Sequence, residues 1–183
     1  MKRIGERLPA SPAPATGAPA RPSVSAGDCG LLLLRLAVGL LMAGHGAQKL
    51  FGMFGGRGLA ATGRGFATLG YHPGRVYAAT CGLGELLGGL GLAVGLFTPL
   101  AAAALIGVMI NAMVTVTSLH GLWETSGGME YGIVITVAAL AVAATGPGRL
   151  SLDLPFRWGK GGWREAGFAL ALGGAGTVVV LIL

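Results

Sequence analysis

His45 and Lys49 stand one helical turn apart in GHGAQKLFG (residues 44–52), and Glu85 stands in CGLGELLGG (residues 81–89). Each lies in a run that otherwise reads as leucine, alanine, valine and glycine. An imidazole, an ammonium and a carboxylate can pair, relay a proton or hold the polar head of a ligand. A charge at the centre of a spanning helix costs ~3 kcal/mol even on lenient insertion scales. Glu85 must therefore be paired, protonated or turned toward water, and Lys49 and His45 are its nearest candidates. A structural network that fixes helix register and a site for a head group or a proton both satisfy this requirement, and a site would use the network.

The elements that position these residues follow from composition. Of 183 residues, 53% are hydrophobic and 11% charged, with a mean hydropathy of +0.72; soluble domains carry about 25% charged residues. Five apolar runs, at about 31–51, 77–97, 100–119, 130–146 and 166–183, each approach the length needed to cross a hydrocarbon core of roughly 30 Å. The expectation is an all-α membrane protein: a four-helix transmembrane bundle over 29–153, an interfacial aromatic and basic segment over 154–165, and a fifth span over 166–183. That last span carries Gly173-Gly174-Ala175-Gly176, weak helix in water but tolerated in lipid. Residues 1–28 hold five of the nine prolines and read as a disordered cytoplasmic arm, too polar for a signal-peptide core.

The net charge of +6 points to membrane orientation rather than to nucleic acid. Lys2, Arg3, Arg7, Arg21, Arg149, Arg157, Lys160 and Arg164 fall on one side of the predicted topology, and Arg57, Arg64 and Arg75 on the other. Positive charge collects on the cytoplasmic side, which puts the N-terminus inside and the C-terminus outside.

Depth brings the polar residues together. Glu85 falls about 12 Å and His45 about 9 Å below the outer surface, counting 1.5 Å per residue. His120 at the end of the third span, Glu124 in the following loop and Glu130 at the start of the fourth span join them and Lys49 at the outer end, while Asn111, a further candidate, lies near the middle of the third span. Arg35, Lys49 and His45 share one helix stripe, successive members about 40° apart. The loop from Gly52 to Val76 carries Leu59, Phe66 and Leu69 among its glycines and reads as a short interfacial helix capping this cluster. At the inner end Arg35 is expected to pair with Asp153 or Asp28. Phe156, Trp158 and Trp163 alternate with Arg157, Lys160 and Arg164 as headgroup-zone anchors, with an anionic-lipid site as the rarer meaning. In the second span Gly84 and Gly88, then Gly91 and Gly95, repeat at the four-residue spacing of close helix packing.

Other chemistries find little support. Cys29 and Cys81 make no metal-ligand spacing and are expected at opposite membrane faces, as separate thiols. His45, His72 and His120 form no HxxxH or HExxH pair, so no metal is expected. Neither a nucleophile elbow nor a phosphate-binding glycine loop after a strand is present. No self-contained catalytic centre or redox cofactor motif emerges, and whether the chain catalyses anything stays open.

The runs LLRLAVGLLMAGHGAQKLFG, CGLGELLGGLGLAVGLFTPLAA and EYGIVITVAALAVAATGPGRLSLD resemble the DoxX family of small bacterial membrane proteins. The likeness covers about Leu32 to Asp153 and rests on His45 with Lys49, on Glu85 with Gly88 and Gly89, and on Gly146 through Asp153. The resemblance implies a four-helix bundle in the bacterial inner membrane, associated with membrane redox systems such as quinone-linked oxidoreductases. It leads to an accessory subunit of a membrane oxidoreductase assembly, binding a quinone or lipid head group between His45, Lys49 and Glu85, with electrons supplied by a partner. The expected partners are membrane lipids and either a larger redox complex or further copies of the chain. A small-solute or lipid transporter-like protein and a structural scaffold are the alternatives.

Overall fold

A computed structural model describes residues 24–182. The arm expected over 1–28 lies outside the described residues as far as residue 23. Its last residues are ordered: α1 spans Ala26–Phe51, opened by a capping box in which the Ser25 hydroxyl accepts from the Asp28 amide and Asp28 accepts from the Ser25 amide. Reciprocal caps of this kind satisfy two of the amides that a helix start leaves without partners.

The remaining helices are α2 (Gly58–Thr68), α3 (Gly74–Val94), α4 (Thr98–Ala112), α5 (Glu130–Thr145) and α6 (Trp163–Ile182). The α4 helix continues through a π-helical turn at Met113–Thr117 and a 3-10 turn at Ser118–His120. The described residues form an all-α membrane fold in which four helices, α1, α3, α4 with its extension, and α6, are long and apolar enough to cross a membrane. The C-terminal run is thus a full-length span. The shortest is α5, with 16 residues, and at 1.5 Å per residue it covers only about 24 Å. Leu33, Leu40, Leu41, Leu87 and Val137 are exposed on the outside of the bundle, as a lipid-facing surface requires.

The central helix is α4. Ala102, Leu105, Ile106 and Met109 are buried against Val38 and Met42 of α1, Leu92 of α3, Ala139 and Val142 of α5, and Ala169 of α6. The α6 helix docks on α4 through its glycine-rich stretch. A Cβ on Gly173 would lie 2.7 Å from the Ala103 carbonyl oxygen and 3.0 Å from the Gly107 amide, and the Thr177 hydroxyl donates to the Gly107 carbonyl at 2.9 Å.

The closest seam joins α1 to α3. A Cβ on Gly39 would come within 2.5 Å of the Gly89 carbonyl, and one on Gly46 within 2.5 Å of the Leu86 amide. Gly89 faces the Ala43 amide at the same distance. Gly39 and Gly46 are seven residues apart, as are Gly82 and Gly89, so two full turns of each helix present hydrogens to the other. Gly84, Gly88 and Gly91 do pack as expected, against Val108, Ala104 and Ala101 of α4. Gly95 does not belong to that face. It is the left-handed cap of α3 (φ 66°), with its amide on the Leu92 carbonyl and the Leu96 amide on Gly91, the paired bonds of a Schellman ending.

The tight α3–α4 turn is fastened by Arg35 and Asp153, both essentially fully buried. The expected Arg35–Asp153 and Arg35–Asp28 ion pairs are not formed. The Arg35 guanidinium instead donates to the carbonyls of Leu92, Ala93, Leu150 and Pro147. Asp153 accepts from the amides of Phe97 (2.9 Å) and Thr98 (2.7 Å) and from the Trp158 indole (3.0 Å). Helix ends leave carbonyls and amides unpaired, and in lipid no water can take them. Arg35 therefore completes the end of α3 and Asp153 the start of α4. Asp28 binds the Arg149 amide at 2.9 Å, tying the start of α1 to the same knot.

Adding a methyl to the α1–α3 seam should separate the helices. Gly46→Ala and Gly89→Ala are each expected to lower stability by about 1–3 kcal/mol, the usual overpacking range. Gly44→Ala, which meets nothing within 4 Å, should be neutral or stabilising by up to about 1 kcal/mol. Thermal unfolding of the purified protein in detergent reads the difference.

Candidate functional site

Lys49 lies in the last turn of α1 and Glu85 in the middle of α3. The Gly46–Leu86 contact just below sets their separation. The Lys49 Nζ donates to both carboxylate oxygens of Glu85, at 2.7 and 2.6 Å. Glu85 is only 3% exposed and Lys49 27%, so the carboxylate is sealed and the ammonium reaches it from a more open side. Among the described residues this is the ion pair that the bundle encloses.

The α2 helix lies over this end as the cap that the apolar residues of the loop predicted. A Cβ on Gly63 would meet the Arg75 backbone at about 3 Å, and the Thr62 hydroxyl donates to the Lys49 carbonyl at 3.4 Å. Tyr71, just past α2, is buried. Its ring packs between Phe66 and Tyr77, with centroids 5.5 and 5.0 Å away, and its hydroxyl donates to Asn111 Oδ1 at 3.1 Å. The Asn111 Nδ2 is buried without a partner. If the amide were turned over, its oxygen would take that position, so one hand of the amide is left over either way.

These groups border one cavity of about 500 Å³ between α3, α4 and α6, roofed by Phe66 and Leu69. Lys49, Glu85 and Asn111 line it beside Tyr71, Tyr77 and Thr115, and the rest of its wall is almost wholly apolar, including Cys81, Val108 and Leu172. Asn111 stands two residues before the π-helical turn at 113–117. Such turns recur at functional sites, where the extra residue re-aims side chains. Ligand cavities of roughly 300–1,000 Å³ with a few convergent polar groups on apolar walls are the common form of small-molecule sites.

Three of the sequence-predicted site residues therefore meet at the cavity: Lys49, Glu85 and Asn111. His45 does not line it. The imidazole packs edge-on against Tyr131 of α5, with centroids 5.8 Å apart. His120 is exposed, its ring nitrogen on the Val116 carbonyl. Glu130 is exposed as well and accepts from the Glu124 amide at 3.0 Å, closing the 121–130 loop. Sequence reasoning missed Tyr71, Tyr77 and the α6 wall. The aromatic pair was visible in GYHPGRVY (residues 70–77), whereas nothing in the sequence says which face of α4 receives α6.

The DoxX family model matches residues 30–118, that is α1 through the extension of α4. Residues 30–118, just under half of the chain, are thus a DoxX domain. No curated protein and no solved structure matches the chain. The DoxX segment contains the α1–α3 seam, the cap and the Lys49–Glu85 pair. It stops short of the 146–153 motif, while α6, which completes the cavity, lies beyond it. The chain is thus a multi-pass membrane protein whose Lys49–Glu85 pair sits within the matched helices.

A buried pair is costly to break and cheap to replace as a whole. Glu85→Ala alone should destabilise the protein by about 3–5 kcal/mol, since it strands the ammonium. The double variant Lys49→Met with Glu85→Leu should recover most of that loss. Unfolding in detergent across the full cycle gives the coupling, and additive losses would contradict the pairing.

Proposed function

We propose that this protein is an accessory subunit of a quinone-linked redox assembly in the bacterial plasma membrane, with its N-terminus cytoplasmic. The cavity beside Lys49 and Glu85 would hold the quinone head. The observation that carries this reading is the joining of one sealed charge pair and one spare amide hand to an otherwise apolar, laterally placed cavity. An amphiphile with a compact polar head and a long hydrocarbon tail matches that distribution of groups. The volume suits a ring of this size, and the apolar wall of α4 and α6 suits the tail.

In this reading Lys49 Nζ and the free hand of Asn111 orient the head by hydrogen bonds to its oxygens. Glu85, held against Lys49, accepts or returns a proton at its carboxylate as the head's charge changes. Tyr71 fixes the Asn111 amide, and the Phe66–Tyr71–Tyr77 stack with α2 keeps water from the pair. The quinone supplies the two-electron chemistry, and a partner protein supplies the electrons. A transporter-like role asks for polar groups continuing from this end to Arg35. Arg35 is instead saturated by carbonyls, and Val38, Met42 and Ala43 fill the interval on α1, so the polar groups do not continue along α1.

Protein isolated in mild detergent should carry extractable quinone, measured by solvent extraction and mass spectrometry. Lys49→Ala and Glu85→Gln should each lower occupancy about tenfold or more, the scale of one charge-assisted hydrogen bond. Ala112→Phe, which fills the cavity without touching the pair, should do so with unchanged thermal unfolding. Equal occupancy in all three variants would remove the assignment.

A further inference from the structure

A second cavity opens at the opposite end of the bundle. It measures about 560 Å³ and is lined by Phe97, Leu100, Arg157, Trp158, Arg164 and Phe168, with Pro99 and Glu165 completing it. It sits where α3 turns into α4 and α6 begins, away from the Lys49–Glu85 pair. Among the described residues neither Arg157 nor Arg164 makes an ion pair. Both are exposed at the mouth, and Lys160 lies on the same short turn.

One wall is built under strain. Phe97 takes a left-handed backbone, φ 48°, a conformation that a side-chain-bearing residue rarely adopts. The Asp153 carboxylate holds it there through the Phe97 amide while also binding the Trp158 indole. The result is a continuous aromatic shelf: Phe97 stacks on Trp158 at 6.2 Å, and Trp158 on Phe156 at 4.9 Å. Folding the chain needs the Phe97 amide capped but does not need its ring turned outward, 52% exposed, beside two unpaired guanidinium groups. Strain of this sort is kept where a site over-determines it.

We propose that this cavity binds the headgroup of an anionic phospholipid. Arg157 and Arg164 take the phosphodiester, planar guanidinium groups being suited to paired hydrogen bonds with phosphate oxygens. The aromatic shelf seats the glycerol region, and Leu100 and Phe168, both exposed toward lipid, receive the acyl chains. Glu165 opposes one of the cations and lowers affinity, so the site discriminates for negative charge without a large excess of it. The site occupies the end of the bundle where α4 starts and α6 starts, which is the depth of a headgroup and not of a hydrocarbon core.

Native mass spectrometry of the purified full chain with added phosphatidylglycerol or phosphatidylcholine tests this. The wild type should retain phosphatidylglycerol about tenfold better, on the scale of two cations acting on an anionic headgroup. Arg157→Gln with Arg164→Gln should abolish that preference, whereas Arg57→Gln with Arg64→Gln, at the other end, should leave it intact. Glu165→Gln should strengthen it. All substituted side chains are at the surface or the cavity mouth, and unchanged thermal unfolding confirms the fold. Equal retention of the two lipids, or a preference that survives loss of both arginines, overturns the proposal. Displacement of phosphatidylglycerol by millimolar inorganic phosphate overturns the lipid assignment in favour of a free anion.

Discussion

The approach of α1 to α3, backbone against backbone, is the constraint on which the rest depends. Gly39, Gly46, Gly82 and Gly89 let the two helices come closer than any pair of side chains would allow. At that distance the short reach from Lys49 to Glu85 closes into a two-oxygen contact. The same approach carries Arg35 to the last carbonyls of α3. A wider seam would leave a carboxylate in hydrocarbon at one end and helix-terminal carbonyls without donors at the other. Without water to compensate, close helix contact and polar satisfaction become a single requirement.

Depth was legible in the sequence and azimuth was not. Counting residues along the spans placed Lys49 and Glu85 at one level with Asn111 deeper, near the middle of its span, and the three share one cavity. His45 lies about 40° from Lys49 around the helix, close enough to look like the same stripe. The α1 helix is wedged between α3 and α5, however, so that rotation suffices to hand His45 to Tyr131. His120 and Glu130 had the right level too, but they belong to a loop that folds outward on its own hydrogen bonds. Helix periodicity describes one helix at a time, and the neighbour on each face is decided by packing.

The inner knot shows a second limit. A charged residue in an apolar run invites a search for the opposite charge, and Asp153 was the obvious answer for Arg35. Backbone carbonyls carry no letter in the sequence, yet four of them were the partners. The choice has a physical reason. The α3–α4 turn is short, and both its helix ends are buried, so its free carbonyls and amides form a complementary pair of needs. One guanidinium with five donors and one carboxylate with about four acceptor sites match those needs better than they match each other. Similarly, the glycines at 173–176 looked like weak helix, yet Gly173 is the point at which α6 docks on α4, while Gly174 and Gly176 meet nothing within 4 Å.

The two ends of the bundle thus use buried charge differently, and this bears on where ligand chemistry belongs. Arg35 is spent on backbone carbonyls and Asp153 on two backbone amides and the Trp158 indole, and whatever they support is done by geometry, Asp153 holding Phe97 and Trp158 in place. Lys49 and Glu85 are spent on each other, while the lysine is only partly covered and beside it stands an amide hand with no partner. Buried polar atoms without partners occur at both ends, Thr98 Oγ1 in the Asp153 knot and Asn111 Nδ2 and Thr117 Oγ1 toward the other, and each weakens a network in low dielectric. Of the three, Asn111 lines a cavity, beside an ammonium that is itself partly exposed. That cavity is where the proposed ligand would complete the hydrogen bonding.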